Sequence, residues 1–274
     1  MVLSIEALTS TYPGHVAVAD VNAIIEPGEV VAIVGPNGCG KSTLLRSIAR
    51  LHRPVAGRVR VGGDDVWRLR PRQVARRLSL LPQQPELPEA MTVAGLVRFG
   101  RHPHQGLFRQ WSPADEQAVA HALAATGTTG LADRRVDRLS GGQRQRCWLA
   151  MALAQQSPLM LLDEPTSMLD MGHQLEVLQL VRKLAGTGRT VVMVVHDVNA
   201  AMRFADRLLA MNDGRLVADG SPRQVMNPAL IRQLYGVEAE VLISPRSGRP
   251  VVVPDALSSY GPLDAAVTRA LKEH

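Results

Sequence analysis

A chain of 274 residues has room for one large α/β domain or two smaller ones, and 46% apolar residues suffice for a substantial core. Apolar runs such as those at 159–162 and 190–195 are strand-sized, and none in the sequence approaches the ~20 residues that a membrane helix needs. The net charge is +6, with arginines crowded at 68–77, but aromatics are only 3%, which argues against base stacking; the arginines read as a solvated helix face, and no nucleic-acid partner is predicted.

Two cysteines, Cys39 and Cys147, make no disulfide framework and suit a reducing compartment. The first ten residues lack a basic start and a long apolar stretch, so no secretory leader is predicted.

The first strong strand signal is EVVAIV at 29–34, after the turn pair Pro27 and Gly28. It runs into GPNGCGKST and then a helical pattern with Leu44, Ile48 and Leu51 on one face. The segment 92–137 has helix starts at Thr92 and at Ser112, where Pro113 and Asp115 complete an N-terminal cap, and no convincing strand. A helix is predicted at 144–155. Apolar strands at 159–162 and 190–195 flank a helical stretch at 173–185. Residues 208–219 read as a hairpin around Asn212, Asp213 and Gly214, and Ser221 caps another helix. Short strand-like pieces follow at 237–253, and 255–274 is read as a final helix. Continuous apolar strands alternating with helices predict a mainly parallel sheet covered on both faces, with ligands at the carboxyl ends of the strands.

Three motifs carry chemistry. Gly35, Pro36, Asn37, Gly38, Cys39, Gly40, Lys41 and Ser42, continued by Thr43, satisfy the G-x-x-x-x-G-K-[ST] pattern between a buried strand and an amphipathic helix. Its glycines let backbone N–H groups converge on phosphate oxygens, Lys41 reaches the β- and γ-phosphates of ATP, and Ser42 places a hydroxyl on Mg²⁺. Cys39, near a helix start, is expected to have a lowered thiol pKa and to be open to alkylation. In LMLLDE, Asp163 ends a buried strand where a carboxylate is costly without a cation, so it is assigned to the metal, and Glu164 to activating the attacking water. Ser140, Gly141, Gly142 and Gln143, in LSGGQ, offer a second anion site at a helix start. That site has no lysine and no metal ligand, so it is read as clamping a γ-phosphate held by another protomer. His102 and His104 lack a nearby third ligand and read as surface loop.

GPNGCGKST, LSGGQ and LMLLDEP in this order resemble the ABC-transporter ATPases over roughly residues 1–240. The resemblance implies an α/β P-loop NTPase: a RecA-like core with a mainly parallel sheet and an antiparallel β subdomain at 1–88 and 138–240, a helical insert at 89–137, and an extension at 241–274. It implies two copies paired head to tail around two ATP molecules. By position, Tyr12 matches the aromatic stacked on adenine, and Gln83 the glutamine that meets Mg²⁺ and links core to insert, with Gln84 as a competing register. Asp170 belongs to the loop that contacts the opposite site, in which Met168 replaces a commonly small residue. His196 matches the histidine on the γ-phosphate.

The stretches LPQQPELPEAMTVAGLVRFGRHPH and VVHDVNAAMRFADRL are similar to those of importer ATPases for ferric siderophores, haem and vitamin B12. That implies separate transmembrane permease subunits, an extracytoplasmic substrate-binding protein, and a peripheral place on the cytoplasmic side of the inner membrane, with ferric siderophore as first expectation for cargo. A non-transport ABC ATPase would bring a long coiled-coil insert or a second cassette. A GTPase would bring N-K-x-D, which is absent. A subunit with dead sites would not keep Lys41, Glu164 and His196.

Overall fold

Residues 1–83, 90–106, 111–167 and 169–257 are described by a computed structural model of the protein. The chain opens with a long antiparallel hairpin, β1 (Leu3–Tyr12) and β2 (His15–Ile25), followed by the short buried β3 (Val30–Val34) and by α1 (Lys41–Ile48). β4 (Ala56–Val61), β5 (Asp64–Asp65), α2 (Pro71–Ala75) and β6 (Leu78–Leu81) come next, then three helices, α3 (Val93–Phe99), α4 (Pro113–Ala125) and α5 (Gly141–Ala154). The chain then alternates through β7 (Leu159–Asp163), α6 (Met171–Ala185), β8 (Thr190–Val194), α7 (Val198–Phe204) and β9 (Arg207–Asn212). It ends in β10 (Arg215–Gly220), α8 (Pro222–Val225), α9 (Pro228–Tyr235) and a second hairpin, β11 (Val237–Ile243) with β12 (Pro250–Leu257).

The central sheet has the order β10-β9-β3-β8-β7-β6 and is parallel except at the β9–β10 hairpin. An antiparallel sheet, β2-β1-β4-β5, forms a second layer. The expected architecture of parallel core, antiparallel β subdomain and helical insert is therefore present.

Side chains of the central strands alternate between two separate cores, because successive Cβ atoms point to opposite faces. Val30, Ala32, Val34, Met160, Leu162, Val191 and Met193 pack with the helices of the insert and with α5, α6 and α9. Val31, Ile33, Leu159, Leu161, Val192 and Val194 pack with α1 and the antiparallel sheet, through Leu44, Leu45, Leu3, Ile5 and Leu8. Each fully buried Leu or Ile contributes roughly 1.5–3 kcal/mol.

Local chemistry sets the helix ends. The Thr92 hydroxyl accepts from the Gly95 N–H, and Ser112 and Asp115 form a reciprocal capping box on α4. α1 stops at Ile48: Arg50 takes a left-handed φ of 62° and the Leu51 N–H bonds back to the Arg46 carbonyl, which closes the helix. Leu51 therefore leaves the apolar face of α1 on which the sequence put it, and is exposed.

Residues 255–257, expected in a terminal helix, belong to β12, and the strand-like pieces after 237 are one paired hairpin that crosses position 240. The rest of the expected terminal helix, Gln84 and Met168 lie outside the described residues. No helix among the described residues is long and apolar enough to cross a membrane.

Candidate functional site

The glycine-rich loop joins β3 to α1 at the carboxyl edge of the parallel sheet. Two of its glycines are required by space as well as by φ. At Gly35 (φ 146°) an added Cβ would lie 2.1 Å from the Met211 carbonyl oxygen, and at Gly40 (φ 101°) 2.0 Å from that of Ala17. The loop is thus pressed against β9 and β2. Lys41 is 5% exposed, and its ammonium donates to the carbonyls of Gly35 (2.8 Å) and Pro36 (2.7 Å), which hold a buried charge beside the loop.

Asp163 ends β7 beside that loop and is 2% exposed. The Ser42 hydroxyl donates to its Oδ1 at 2.9 Å. Burial pushes the Asp163 carboxyl up, and the Ser42 hydrogen bond opposes the rise.

Glu164 sits one residue past the strand with a left-handed φ of 53°, a conformation rarely taken by a residue with a side chain. Its carboxylate is held from two sides: the Gln83 side-chain amide donates to Oε2, and His196 Nε2 lies 2.5 Å from Oε1. β6, β7 and β8 each deliver one member of this trio, and their parallel register (Leu81 beside Leu162, Asp163 beside Val194) brings the three strand ends level.

A cavity of about 220 Å³ lies over the loop, lined by Asn37, Gly38, Gly40, Lys41, Ser42, Thr43, Glu164, His196, Tyr12, His15 and Ala17. Tyr12 and His15 flank the Pro13–Gly14 turn of the first hairpin, and the Tyr12 ring packs against that of His52, with centres 4.6 Å apart and planes tilted by 39°. His15 and Ala17 are not among the expected residues; the signal that points to them is the Pro-Gly turn next to Tyr12, which must fold back over whatever Tyr12 meets.

The expected residues at 140–143 and 170 form a second cluster. The Ser140 hydroxyl accepts from the Gln143 N–H at the start of α5. Asp170 caps α6 by accepting from the His173 N–H (2.9 Å) and ring Nδ1 (2.8 Å). The His173 ring lies so close to Gly142 that a Cβ there would come within 2.5 Å of it, and a Cβ on Gly141 would be 3.5 Å from Leu169. None of Ser140, Gly141, Gly142, Gln143 or Asp170 lines the cavity over the loop, and Ser140 and Gly141 face solvent.

Cys39 corrects one expectation. It is 5% exposed, and burial raises its thiol pKa while nearby Lys41 opposes the rise, so the lowered pKa read from the helix start does not hold. Cys147 is buried too, with its thiol pushed up to about 11. A thiol reagent added to the native protein at neutral pH should label both residues slowly, and unfolding in guanidinium should release both; fast native labelling of Cys39 would contradict the packing. His104 is bonded through Nε2 to the Gln155 carbonyl at 2.8 Å, and His102 stacks on Phe99.

Comparison with known proteins places this geometry. The profile of the ABC transporter family matches residues 18–167. The ferric enterobactin transport ATP-binding protein FepC of Escherichia coli (strain K12) is 46% identical over 250 residues, which is 91% of this chain and 92% of that protein. The petrobactin import ATP-binding protein FpuD of Bacillus anthracis is 45% identical, over 92% of this chain and 93% of that one. Among solved structures, an inward-facing putative metal-chelate type ABC transporter matches with a TM-score of 0.81 at 31% identity, over 94% of this chain and 98% of that chain. A dimeric ATP-binding cassette in a post-hydrolysis state, bound to ADP and Pi, matches with a TM-score of 0.71 at 30% identity, over 80% of this chain and 98% of that chain. With a phosphate loop, a carboxylate poised at the end of β7 and relatives of this closeness along nearly its whole length, the chain belongs to the ABC transporter family, as an ATP-hydrolysing member.

Proposed function

We propose that the chain powers an importer of iron–siderophore complexes, as one of two identical ATPase subunits paired head to tail. They sit on the cytoplasmic side of the inner membrane beneath separate permease subunits, which an extracytoplasmic binding protein loads. The observation that carries the pairing is the division of the candidate phosphate-binding groups: Lys41, Glu164 and His196 share one cavity, while Ser140 and Gly141 at the start of α5 lie outside it and are exposed. A second copy supplies the missing half.

In this reading Tyr12 stacks on the adenine. The loop from Gly35 to Thr43 wraps the phosphates, with Lys41 leaving its carbonyls for the γ-phosphate. Ser42 and Asp163 are hard oxygen donors 2.9 Å apart at a buried carboxylate, a set that fits Mg²⁺ and would hold it. Bound there, the ion supplies charge neutralisation on the phosphates. Glu164 orients the attacking water and takes its proton. His196 holds the γ-phosphate and the Glu164 carboxylate in line. Gln83 joins the Glu164 carboxylate to the segment leading into the insert at 89–137, the part we assign to permease contact. Residues 140–143 and 170 engage the nucleotide of the partner copy.

The test of the pairing is sedimentation of the Glu164→Gln variant. With Mg²⁺ and ATP it should run as a dimer, and with ADP, or after adding Ser140→Arg, as a monomer. A monomer under every condition would overturn the pairing. Siderophore as cargo is supported by the named activities of FepC and FpuD; growth on ferric siderophore as sole iron source, lost on deletion and restored by this chain with its permease, checks it.

A further inference from the structure

A second cavity among the described residues is larger than the one over the phosphate loop. It measures about 650 Å³ and lies between α6, α7 and the turn that joins β11 to β12, within the roughly 300–1,000 Å³ typical of small-molecule sites. One wall is apolar: Leu175, Leu178, Phe204 and Val251. The rim is basic, with Arg203, Arg246 and Arg249 against a single carboxylate, Asp197.

The cavity is built on a fixed frame. Asn199 holds β12 twice, donating to the Val252 carbonyl (3.1 Å) and accepting the Val252 N–H (2.8 Å). One Arg249 nitrogen donates to the carbonyls of Met202 and Ala205, at the end of α7. Arg223 donates to the Gly248 carbonyl and pins the turn from outside.

The polar groups on the rim are left with donors to spare. Asp197 accepts through Oδ1 from the N–H groups of Asn199 and Ala200 and is the one acidic side chain among the described residues that line the rim, against three arginines. The oxygens of Ser244 and Ser247 accept from backbone N–H groups, which leaves both hydroxyl protons for another acceptor. Arg246 has no ion-pair or hydrogen-bond partner among the described residues. Among the described residues Arg203 meets only the Phe204 ring, whose centre lies 5.5 Å from its guanidinium carbon. Two uncompensated guanidiniums and two hydroxyl donors above an apolar wall select an anionic head on an apolar body.

We propose that this cavity binds a small organic anion, a phosphate or carboxylate carried on an apolar group. The head meets Arg203, Arg246 and the serines, and the body lies against Leu175 and Phe204. The floor of the cavity is α7, whose cap Asp197 directly follows His196, so the ligand docks on the element next in the chain after the histidine assigned to the γ-phosphate.

The experiment is an NMR titration of the ¹⁵N-labelled full chain with phenyl phosphate, with Mg²⁺ and ADP saturating the phosphate loop. It reads binding without turnover, so it stands or falls apart from the ATPase reading. Amide shifts are expected at 197–204 and 244–251, with a Kd below about 1 mM. The double variant Arg203→Ala, Arg246→Ala should weaken binding by about tenfold or more, and Arg203→Lys with Arg246→Lys should recover part of it. Both arginines are exposed, so the fold should hold, and an unchanged thermal midpoint verifies that. Phenylacetate should shift the same amides; inorganic phosphate or benzyl alcohol alone should do so only weakly. No shifts at about 10 mM phenyl phosphate, an equal affinity in the alanine variant, or inorganic phosphate binding as well as phenyl phosphate would each overturn the proposal.

Discussion

Glu164→Gln should lower kcat for ATP hydrolysis by about 10²–10⁴-fold, the range lost when a positioned general base is removed. ATP binding should stay within a few-fold of the parent chain. The two effects separate because, in the roles proposed above, Glu164 acts on the attacking water while backbone N–H groups and Lys41 hold the phosphates. Glutamine keeps the size of the side chain and suits the left-handed backbone no worse than glutamate does. It can still accept from Gln83 but cannot take a proton from water. Single-turnover hydrolysis beside a nucleotide-binding isotherm checks both halves. A variant that turns over at the parent rate would remove Glu164 from the role of base.

Breaking the buried ion pair of the helical insert should have the largest effect on stability. Arg101 and Asp115 are 4% and 1% exposed and meet at 2.9 Å. Arg101 also donates to the Ala154 carbonyl (2.7 Å) and to Gln156 Oε1 (2.8 Å), so it ties α3 and α4 to the end of α5. Arg101→Ala strands a buried carboxylate and should cost about 3–5 kcal/mol, whereas a paired Arg101→Met, Asp115→Leu exchange should cost far less. At roughly 2–4 °C per kcal/mol for a chain of this size, the single variant loses about 10 °C of Tm.

Acid should act on the same pair. Burial works to raise the Asp115 carboxyl, but hydrogen bonds from Ser112 and Arg101 outweigh it and hold the group at about 2, below its ordinary 3.8. A depressed folded-state pKa adds stability that is complete above the unfolded value and fades as the pH falls from 3.8 towards 2, here about 2 kcal/mol. Urea titrations at pH 7 and pH 2.5 should show that loss in the parent and much less of it in Asp115→Asn. An equal acid loss in both would deny Asp115 the effect.

The central strands were legible in the sequence because they are short and apolar throughout, as burial on both faces demands; β3, β7 and β8 stand within a residue of where the pattern puts them. The first hairpin was not. β1 and β2 pair with several register shifts, and Ala7 has a positive φ, so the period-two signal breaks every few residues although the strands are long. The hairpin after 237 was blurred for another reason: β11 turns Leu242 and Ile243 to solvent, and two prolines lie in β12. At the site, the phosphate loop and the acidic pair declare themselves by composition. The link from Gln83 to Glu164 spans 81 positions in the chain and exists only because β6 and β7 pair in register. Cys39 misled because closeness to a helix start suggests activation, while burial in the loop, invisible in one dimension, works the other way.

The alternation of the central strands between two packed interiors gives each strand a two-letter address. In β8, Val191 belongs to the helix side and Val192 to the hairpin side, though they are neighbours in sequence. A cavity cut at one should loosen the helical side, including the insert that we assign to permease contact, and at the other the antiparallel sheet that carries Tyr12. Hydrogen exchange on the two truncations would separate the mechanical half of the machine from its fuel-holding half, one residue apart.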